Sequence, residues 1–518
     1  MTDGRRSLRR RATLGAYLLA TLALSALLAG CYLPGLGPTP TIPPEAKTAA
    51  AWNPTPTVRT VRTRTATNPP TPTRPARTPT PGPNSFAATA EQPCRQARYT
   101  GPIPEKRTTV ETIGQAYRCL LRYYVDHETL DGRILLNGAW SELRVASKGR
   151  FTPEELAPLD LTGDREGDWA VFAARFTALI DAKRGAVDAS PLARAAIAGM
   201  ADSLKDNHVA YLEPKYWRRT VTSELGLEYF PTAGFEVAMD EETGKYFLYV
   251  VFPDSPAARA GLRPGDLIDN VGGTIVGRDR DNRPLGDLMV GLPGTGDTVQ
   301  VTRPATGETL SVLIVVAEVD VPLIELDILE GQVGYVRLRY FSYDAGEVFD
   351  EAVRILKSRR VKSVIFDVRQ NPGGSSAALN HILSYFTHEG PLAYMIDGQW
   401  QREAMQPDPR VPLLGVPWGV LCDGQSASSS DVTAAVAKAR GGRLIGTRSA
   451  GALGGSLYYE LEDGRALQTT VVRVIGPDGE EINEIGVTPH EVVRLTPADL
   501  SADNDPQLTA ALAYLLGR

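Results

Sequence analysis

Gly419-Val420-Leu421-Cys422-Asp423-Gly424-Gln425-Ser426-Ala427-Ser428-Ser429-Ser430-Asp431 is the stretch on which the fold turns. Gly419–Cys422 predicts a buried strand, a glycine-containing loop follows, and 428–440 predicts a helix. A serine at such a strand-to-helix turn is exposed over the helix N-terminus, the setting of a nucleophile elbow. Ser428 to Asp431 also reads as a capping box, Ser-x-x-Asp.

About fifty residues upstream the same grammar recurs in Asp367-Val368-Arg369-Gln370-Asn371-Pro372-Gly373-Gly374. Ser363–Val368 predicts a buried strand, and Ala377–Phe386 the helix after the turn. Paired glycines let a chain turn sharply and bring amides close to a ligand. Helix N-termini present unpaired N–H groups suited to a developing oxyanion. A tight turn capped by Asn371 is the structural alternative. Gly334–Leu338 and Arg443–Gly446 predict further strands. Ala345–Ser358 predicts a helix with Val348, Phe349, Ala352, Val353, Ile355 and Leu356 on its apolar side. Residues 319–500 therefore read as an α/β body with crossover units.

Upstream, residues 221–318 are strand-rich, with Phe247–Phe252, Leu267–Val271, Thr298–Thr302 and Leu310–Val316 separated by Pro-Gly turns. Asp254-Ser255-Pro256-Ala257-Ala258-Arg259-Ala260-Gly261-Leu262-Arg263-Pro264-Gly265-Asp266-Leu267-Ile268 resembles the core signature of bacterial PDZ domains. That resemblance implies a β-sandwich or barrel-like unit. Gly234, Phe235, Glu236 and Val237 would then bind a peptide that adds as a strand. A structural spacer is the alternative. Residues 105–220 read as helical, over 109–124, 169–180 and 191–204. Cys94 and Cys119 could pair in an oxidising compartment, although the sequence does not place them within reach.

Helices, then the PDZ-like unit, then the two turns: this order resembles the carboxyl-terminal processing (tail-specific) serine peptidases over roughly residues 105–500. Lys205-Asp206-Asn207-His208-Val209-Ala210-Tyr211-Leu212 is similar to the family's Asp-x-His-x-x-Tyr stretch, and Glu484-Ile485-Gly486-Val487-Thr488-Pro489 to its Gly-Val-x-Pro segment. The resemblance implies an α+β multidomain protein with a crotonase-like ββα peptidase core. It implies Ser428 as nucleophile and the amides of Gly373, or Gly374, and Ser429 as oxyanion donors. The family's general base is a lysine, and here its position falls on Ala452 or Leu453. No lysine occurs after Lys438. Lys438 lies ten residues along the helix from Ser428, about 15 Å by helical rise, and arginine does not release its proton. A hydroxyl without a base is a poor nucleophile. The tricorn-like branch resembles this chain while using a histidine from the Asp-x-His region. His208 is therefore the expected base, with Glu484 as its acidic partner in an alignment loose by one residue. A structural hydrogen-bonding role is the alternative for His208, and His381 is the weaker candidate base.

Arg5, Arg6, Arg9, Arg10 and Arg11 precede an apolar run ending Leu28-Ala29-Gly30-Cys31. Residues 1–31 read as an export signal, and the tetrapeptide resembles a lipobox, which implies lipidation of Cys31. Residues 32–104 read as a disordered spacer, since 33–90 hold 14 Pro and 14 Thr. Residues 501–518 complete the chain as a helix. Residues 1–90 carry eleven Lys/Arg against two Asp/Glu, whereas the remaining body carries 44 against 59. An acidic body argues against a nucleic-acid partner. No His-Glu-x-x-His or Cys-x-x-Cys occurs, so neither metal nor other cofactor is expected. The expectation is an exported, membrane-anchored lipoprotein of the cell envelope. It would act as a serine endopeptidase on unfolded or C-terminal polypeptide segments, with a possible regulatory envelope partner. A catalytically silent peptide-binding or scaffold protein of the same fold is the competing reading.

Overall fold

The structure, a computed structural model, describes residues 59–60, 94–96 and 106–518 apart from 184, 215–216, 218–228, 279–281 and 292. The expected signal segment, Cys31 and nearly all of the tether lie outside the described residues.

Four helices come first: α1 Val110–Tyr123, α2 Gly132–Ala146, α3 Arg165–Ala182 and α4 Ala189–Ser203. In α1 the residues Ile113, Ala116, Tyr117, Leu120 and Leu121 are buried, the 3,4 spacing of one helix face. Helix α2 is absent from the sequence-based expectation. Its glycines lower helix propensity, but they serve packing. A Cβ on Gly138 would lie 2.4 Å from the Gly199 carbonyl oxygen of α4, so the two backbones approach where no side chain fits. Cys94 and Cys119 are joined by a disulfide.

Strand β1, Ala210–Leu212, follows directly on His208. A six-strand sheet comes next: β2 Phe235–Met239, β3 Tyr246–Val251, β4 Leu267–Val271, β5 Gly296–Thr302 and β6 Thr309–Val315, with the short Thr274–Ile275 pairing β4. Their order is β6-β5-β4-β3-β2, which leaves β2 at an edge. Asp266, from the Pro-Gly-Asp turn, is fully buried and paired with Arg303 at 2.8 Å. Gly234 adopts φ +89°, and a Cβ there would collide with Ser255.

The main elements of the C-terminal body are β7 Ile324–Leu329, β8 Val333–Leu338, α5 Ala345–Ser358, β9 Ser363–Asp367, α6 Ser376–Leu383, β10 Ala393–Asp397, β11 Arg402–Met405, β12 Trp418–Cys422, α7 Ser429–Ala439, β13 Arg443–Gly446, β14 Gly454–Glu460, β15 Ala466–Ile475, β16 Glu491–Val492 and α8 Pro506–Leu515. The central sheet runs β7-β8-β9-β12-β13-β16, with Arg59–Thr60 on the outer edge of β7. It is antiparallel only between β7 and β8 on that path, and parallel from β8 to β16. Strand periodicity sorts its residues: Val364, Phe366, Val420 and Cys422 pack beneath α5, α6 and α7, while Ile365, Leu421 and Ile445 meet α8 on the opposite face. Both faces are covered, as a parallel sheet requires.

A second sheet, β11-β10-β15-β14, was not anticipated from the sequence. Strand β1 adds to β15, with Ala466 opposite Leu212. Tyr459, Leu461 and Leu467 of this sheet share one core with the four N-terminal helices, so that helical region is built onto the peptidase body. Among the described residues no helix is long and apolar enough to cross a membrane.

Phe349 is fully buried, with its ring against Phe366, Tyr385 and Phe386. Phe349→Ala should cost about 3–5 kcal/mol, read as an earlier urea unfolding transition. An unchanged midpoint would contradict this packing.

Candidate active site

Three loops leave the carboxyl ends of neighbouring parallel strands: 368–375 after β9, 423–428 after β12 and 447–453 after β13. Crevices at that edge are where open α/β sheets place their chemistry.

Ser428 stands between β12 and α7 with φ 54° and ψ −114°, a region that L-residues seldom occupy and that marks strain at functional turns. Ser426, two residues earlier, is fully buried; its hydroxyl donates to the Val368 carbonyl at 2.8 Å and accepts from the Asp423 amide at 2.9 Å. The structure therefore separates the two serines: Ser426 braces the loop and Ser428 is half-buried at its crest.

The glycine turn is fastened from below. Asp367 is buried, paired with Arg369 at 2.6 Å and bonded by the Tyr335 hydroxyl at 2.7 Å. Arg369 reaches Asp505 at 2.8 Å and Gln507 at 2.9 Å at the start of α8. Burial alone would raise the Asp367 carboxyl, but Arg369, Arg337 and the Tyr335 hydroxyl more than offset it and hold it below the usual range. Gly373 and Gly374 adopt φ +100° and +132°. A Cβ on Gly373 would lie 2.6 Å from the Ser428 Cβ, so only glycine lets the turn reach the elbow. The Gly373 amide donates to the Asn371 side chain at 2.8 Å. The amides of Gly374 and Ser429 have no hydrogen-bond acceptor among the described residues, and the Ser429 hydroxyl donates to the Gly374 carbonyl at 3.0 Å. Of the three expected oxyanion donors, these two are free in this conformation.

Asp431 organises the third loop. Its carboxylate accepts from the Ser428 amide at 2.8 Å, the Ser449 hydroxyl at 2.5 Å, the Gly451 amide at 2.9 Å and the Ala452 amide at 3.2 Å. The Ser428 amide also reaches the Ala452 carbonyl at 2.8 Å. The Ser428 turn and the loop that carries Ala452 are thus one assembly. Ala452 and Leu453 are themselves buried.

His208 is delivered to that loop by the second sheet. Strand β1 bonds to β15, β15 bonds to β14, and β14 begins at Gly454, where a Cβ would sit 3.4 Å from the His208 ring. Desolvation pushes the His208 imidazole pKa down, with Asp206 opposing it, which favours the neutral ring. The other four histidines are engaged elsewhere: His127 with the Tyr124 carbonyl, His381 with Asp350, His388 with the Val411 carbonyl and His490 with the Leu444 amide. Lys438 donates to the Thr488 carbonyl at 3.0 Å.

Glu484 is not brought to His208. It is exposed, and its backbone amide donates to the Gly451 carbonyl at 2.6 Å. The neighbouring Asn483 faces the histidine segment instead, through Asn207 at 3.3 Å. The alignment is loose by one residue, and it is the residue before Glu484 that makes the contact. Sequence reading missed Asn207 and Asn483; the contact spans 276 residues, and neither amide has a motif of its own.

At the β2 edge, Gly234 accepts from the Phe252 amide at 2.9 Å, Phe235 is buried in the core of its unit, and Val237 packs against that core. Glu236 is ion-paired with Arg337 at 3.1 Å and Arg339 at 2.7 Å. Its carboxylate is therefore committed to the central body, which leaves β2 as an edge strand whose Glu236 side chain is already engaged. Among the described residues no group of three or more His, Cys, Asp or Glu is placed to hold a metal.

Residues 332–493 match the profile of Peptidase family S41. The carboxy-terminal processing protease CtpB of Bacillus subtilis is 28% identical over 309 residues, 58% of this chain and 63% of that protein. The carboxy-terminal-processing protease of Bartonella bacilliformis is 30% identical over 315 residues, 59% of this chain and 70% of that protein. The solved photosystem II D1 C-terminal processing protease shares the fold, with a TM-score of 0.50 and 24% identity over 79% of this chain and 97% of its own. The tricorn protease aligns at 15% identity and a TM-score of 0.36, too slight a likeness to decide between branches. The chain belongs to the carboxy-terminal processing proteases of peptidase family S41, a serine-type peptidase family. It spans less than two thirds of the length of the Bacillus protein.

Burial raises the Asp431 carboxyl to about 6, against the pull of Ser449 and the amides of Gly451, Ser428 and Ala452. The folded chain therefore binds this proton more tightly than the unfolded chain, and the contribution of Asp431 to stability grows as pH falls from about 6. The stability of the parent relative to Asp431→Asn should thus increase by roughly 1–3 kcal/mol between pH 7.5 and 4.5. Paired urea titrations across that range measure it, and a flat or reversed difference would contradict the assignment.

Proposed function

We propose that this chain is an exported, lipid-anchored serine endopeptidase that acts on unfolded or C-terminal polypeptide segments. The observation that carries the reading is the arrangement around Ser428: a strained elbow, a glycine turn touching it, and a loop bonded to the elbow that runs into Gly454, beside the His208 ring. Ser428 Oγ attacks the peptide carbonyl and passes its proton to His208. The amides of Ser429 and Gly374 receive the developing oxyanion, and the Gly373 amide joins them if Asn371 releases it. His208 then returns the proton to the leaving amine, and water repeats the cycle on the acyl-enzyme.

Residues 235–315 act in this proposal as a PDZ domain. An extended peptide adds to the open edge of β2 through main-chain hydrogen bonds, which agrees with the commitment of the Glu236 carboxylate elsewhere. The acyl-modified Cys31 and the Pro/Thr-rich tether hold the body at the cell envelope, where polypeptides await trimming or clearance.

A second reading is favoured by the Gly373 amide being occupied by Asn371 and by the missing lysine: a catalytically silent binder of the same fold. Cleavage of a reduced, unfolded protein, followed by mass spectrometry, separates the two. Under the peptidase reading Ser428→Ala loses at least about a thousandfold in rate, while Ser426→Ala retains turnover at reduced stability. Peptide binding without Ser428-dependent fragments under any condition would establish the silent binder.

A further inference from the structure

The orientation of two side-chain amides is fixed by backbone groups that leave no choice. The Gly451 carbonyl can only accept, so the nitrogen end of Asn207 must face it, at 3.4 Å. The Leu453 amide can only donate, so the oxygen end of Asn483 must face it, at 3.0 Å. That same Asn483 oxygen takes the second Asn207 N–H at 3.3 Å. The Asn207 oxygen then points at Nδ1 of His208, 2.6 Å away. An amide oxygen can only accept, so Nδ1 carries the proton and the lone pair lies on Nε2.

Asp206 is not available for this task. Its carboxylate accepts the His208 backbone amide at 2.8 Å and is hydrogen-bonded with Tyr124. Glu484 is exposed and makes no hydrogen bond or ion pair with His208. Gly454, beside the ring, and Thr470, beside Gly454, are uncharged; Arg473 and Asp126, an ion pair near Tyr124, are the next charges outward.

We propose that Asn207, braced by Asn483, is the positioning residue of a Ser428–His208–Asn207 relay in which a neutral amide orients the base. The proposal rests on His208 being the base. Its distinctive content is that the loop holding the Ser428 amide, residues 451–453, also sets the His208 tautomer through the two asparagines. A neutral orienter fixes the tautomer without stabilising the imidazolium, so the base remains unprotonated to lower pH than one paired with a carboxylate.

Two readouts test it on the full chain. The first is independent of turnover: histidine-selective 15N NMR of Ser428→Ala, in which only five histidines contribute. The proton should lie on Nδ1 of His208, and Asn207→Ala should move it toward Nε2. Asn207→Asp should keep it on Nδ1 and raise the His208 titration by about one unit or more. The second is the pH profile of kcat/KM on an unfolded protein. Asn207→Ala should lose about tenfold or more. Asn207→Asp should recover rate and shift the acid limb upward together with the NMR titration. Asn483→Ala should move both readouts in the same direction as Asn207→Ala. A proton on Nε2 in the Ser428→Ala background, or a tautomer and profile indifferent to Asn207, overturns the positioning role. If His208→Ala abolishes cleavage while the Asn207 variants behave as the parent, that role alone falls. If His208→Ala cleaves normally, the base assignment falls and the relay with it.

Discussion

The structure of the site depends on one buried carboxylate. Asp431 accepts four hydrogen bonds, one from the nucleophile turn and three from the loop after β13. Removing a charge from water is costly unless its lone pairs are filled, and these four donors fill them. The consequence is geometric: the first turn of α7 cannot move without the 449–452 loop. That coupling explains how Ser428 holds backbone angles that an isolated turn would abandon. It also explains why a residue that looks like a helix cap does more than cap. The capping-box reading accounts for the bond to the Ser428 amide, but not for the three bonds from a segment eighteen or more residues away.

The second organising feature is electrostatic and links the β2 unit to the chemistry. Glu236 pairs with Arg337 and Arg339, Arg339 is also bonded to Glu325, and the Arg337 guanidinium lies over the Tyr249 ring. Asp367 and Arg369, beneath the glycine turn, lie in the same field: Arg337 helps hold Asp367 ionised, and Tyr249 interacts with Arg369. Buried ion pairs of this kind add little net stability but fix orientation. Here they fasten the edge strand β2 to the end of β8, the strand that pairs with β9 before the glycine turn.

How much of this was legible in the sequence follows from the range of each interaction. The two strand-to-helix turns could be read because their signals are local: an apolar run, a glycine or serine turn, then a helical period. The order of elements, and with it the family, followed from those turns and from the Pro-Gly-Asp signature. The second sheet could not be read in the same way. Its strands β14 and β15 alternate weakly, because one face shares a core with the N-terminal helices while the other stays partly exposed. Helix α2 was hidden by glycines whose value lies in the close approach of α4, which only the fold reveals. Glu484, the expected partner of His208, is exposed, while Asn483 beside it bonds Asn207, a contact across 276 residues that no local signal announces.

In the proposed mechanism a histidine replaces the lysine, which alters what the protein must do to prepare its base. A lysine base is protonated at neutral pH unless burial forces its proton off, so it demands a dry, apolar pocket shared with the nucleophile. Histidine is largely neutral there already; what it needs is one tautomer and one ring orientation. Ala452 and Leu453 pack inside at the position where the family places its lysine, and the ring arrives half-buried from a different part of the chain. With Nδ1 held by Asn207, no buried negative charge is required beside the imidazole. The nearest buried carboxylate, Asp431, can then serve entirely to fasten the elbow. Asp206 already acts on the His208 ring through its charge, so a carboxylate orienter would add a second negative charge beside the imidazole, and like-charge repulsion would oppose it. The neutral amide is therefore the orienter this electrostatic setting favours.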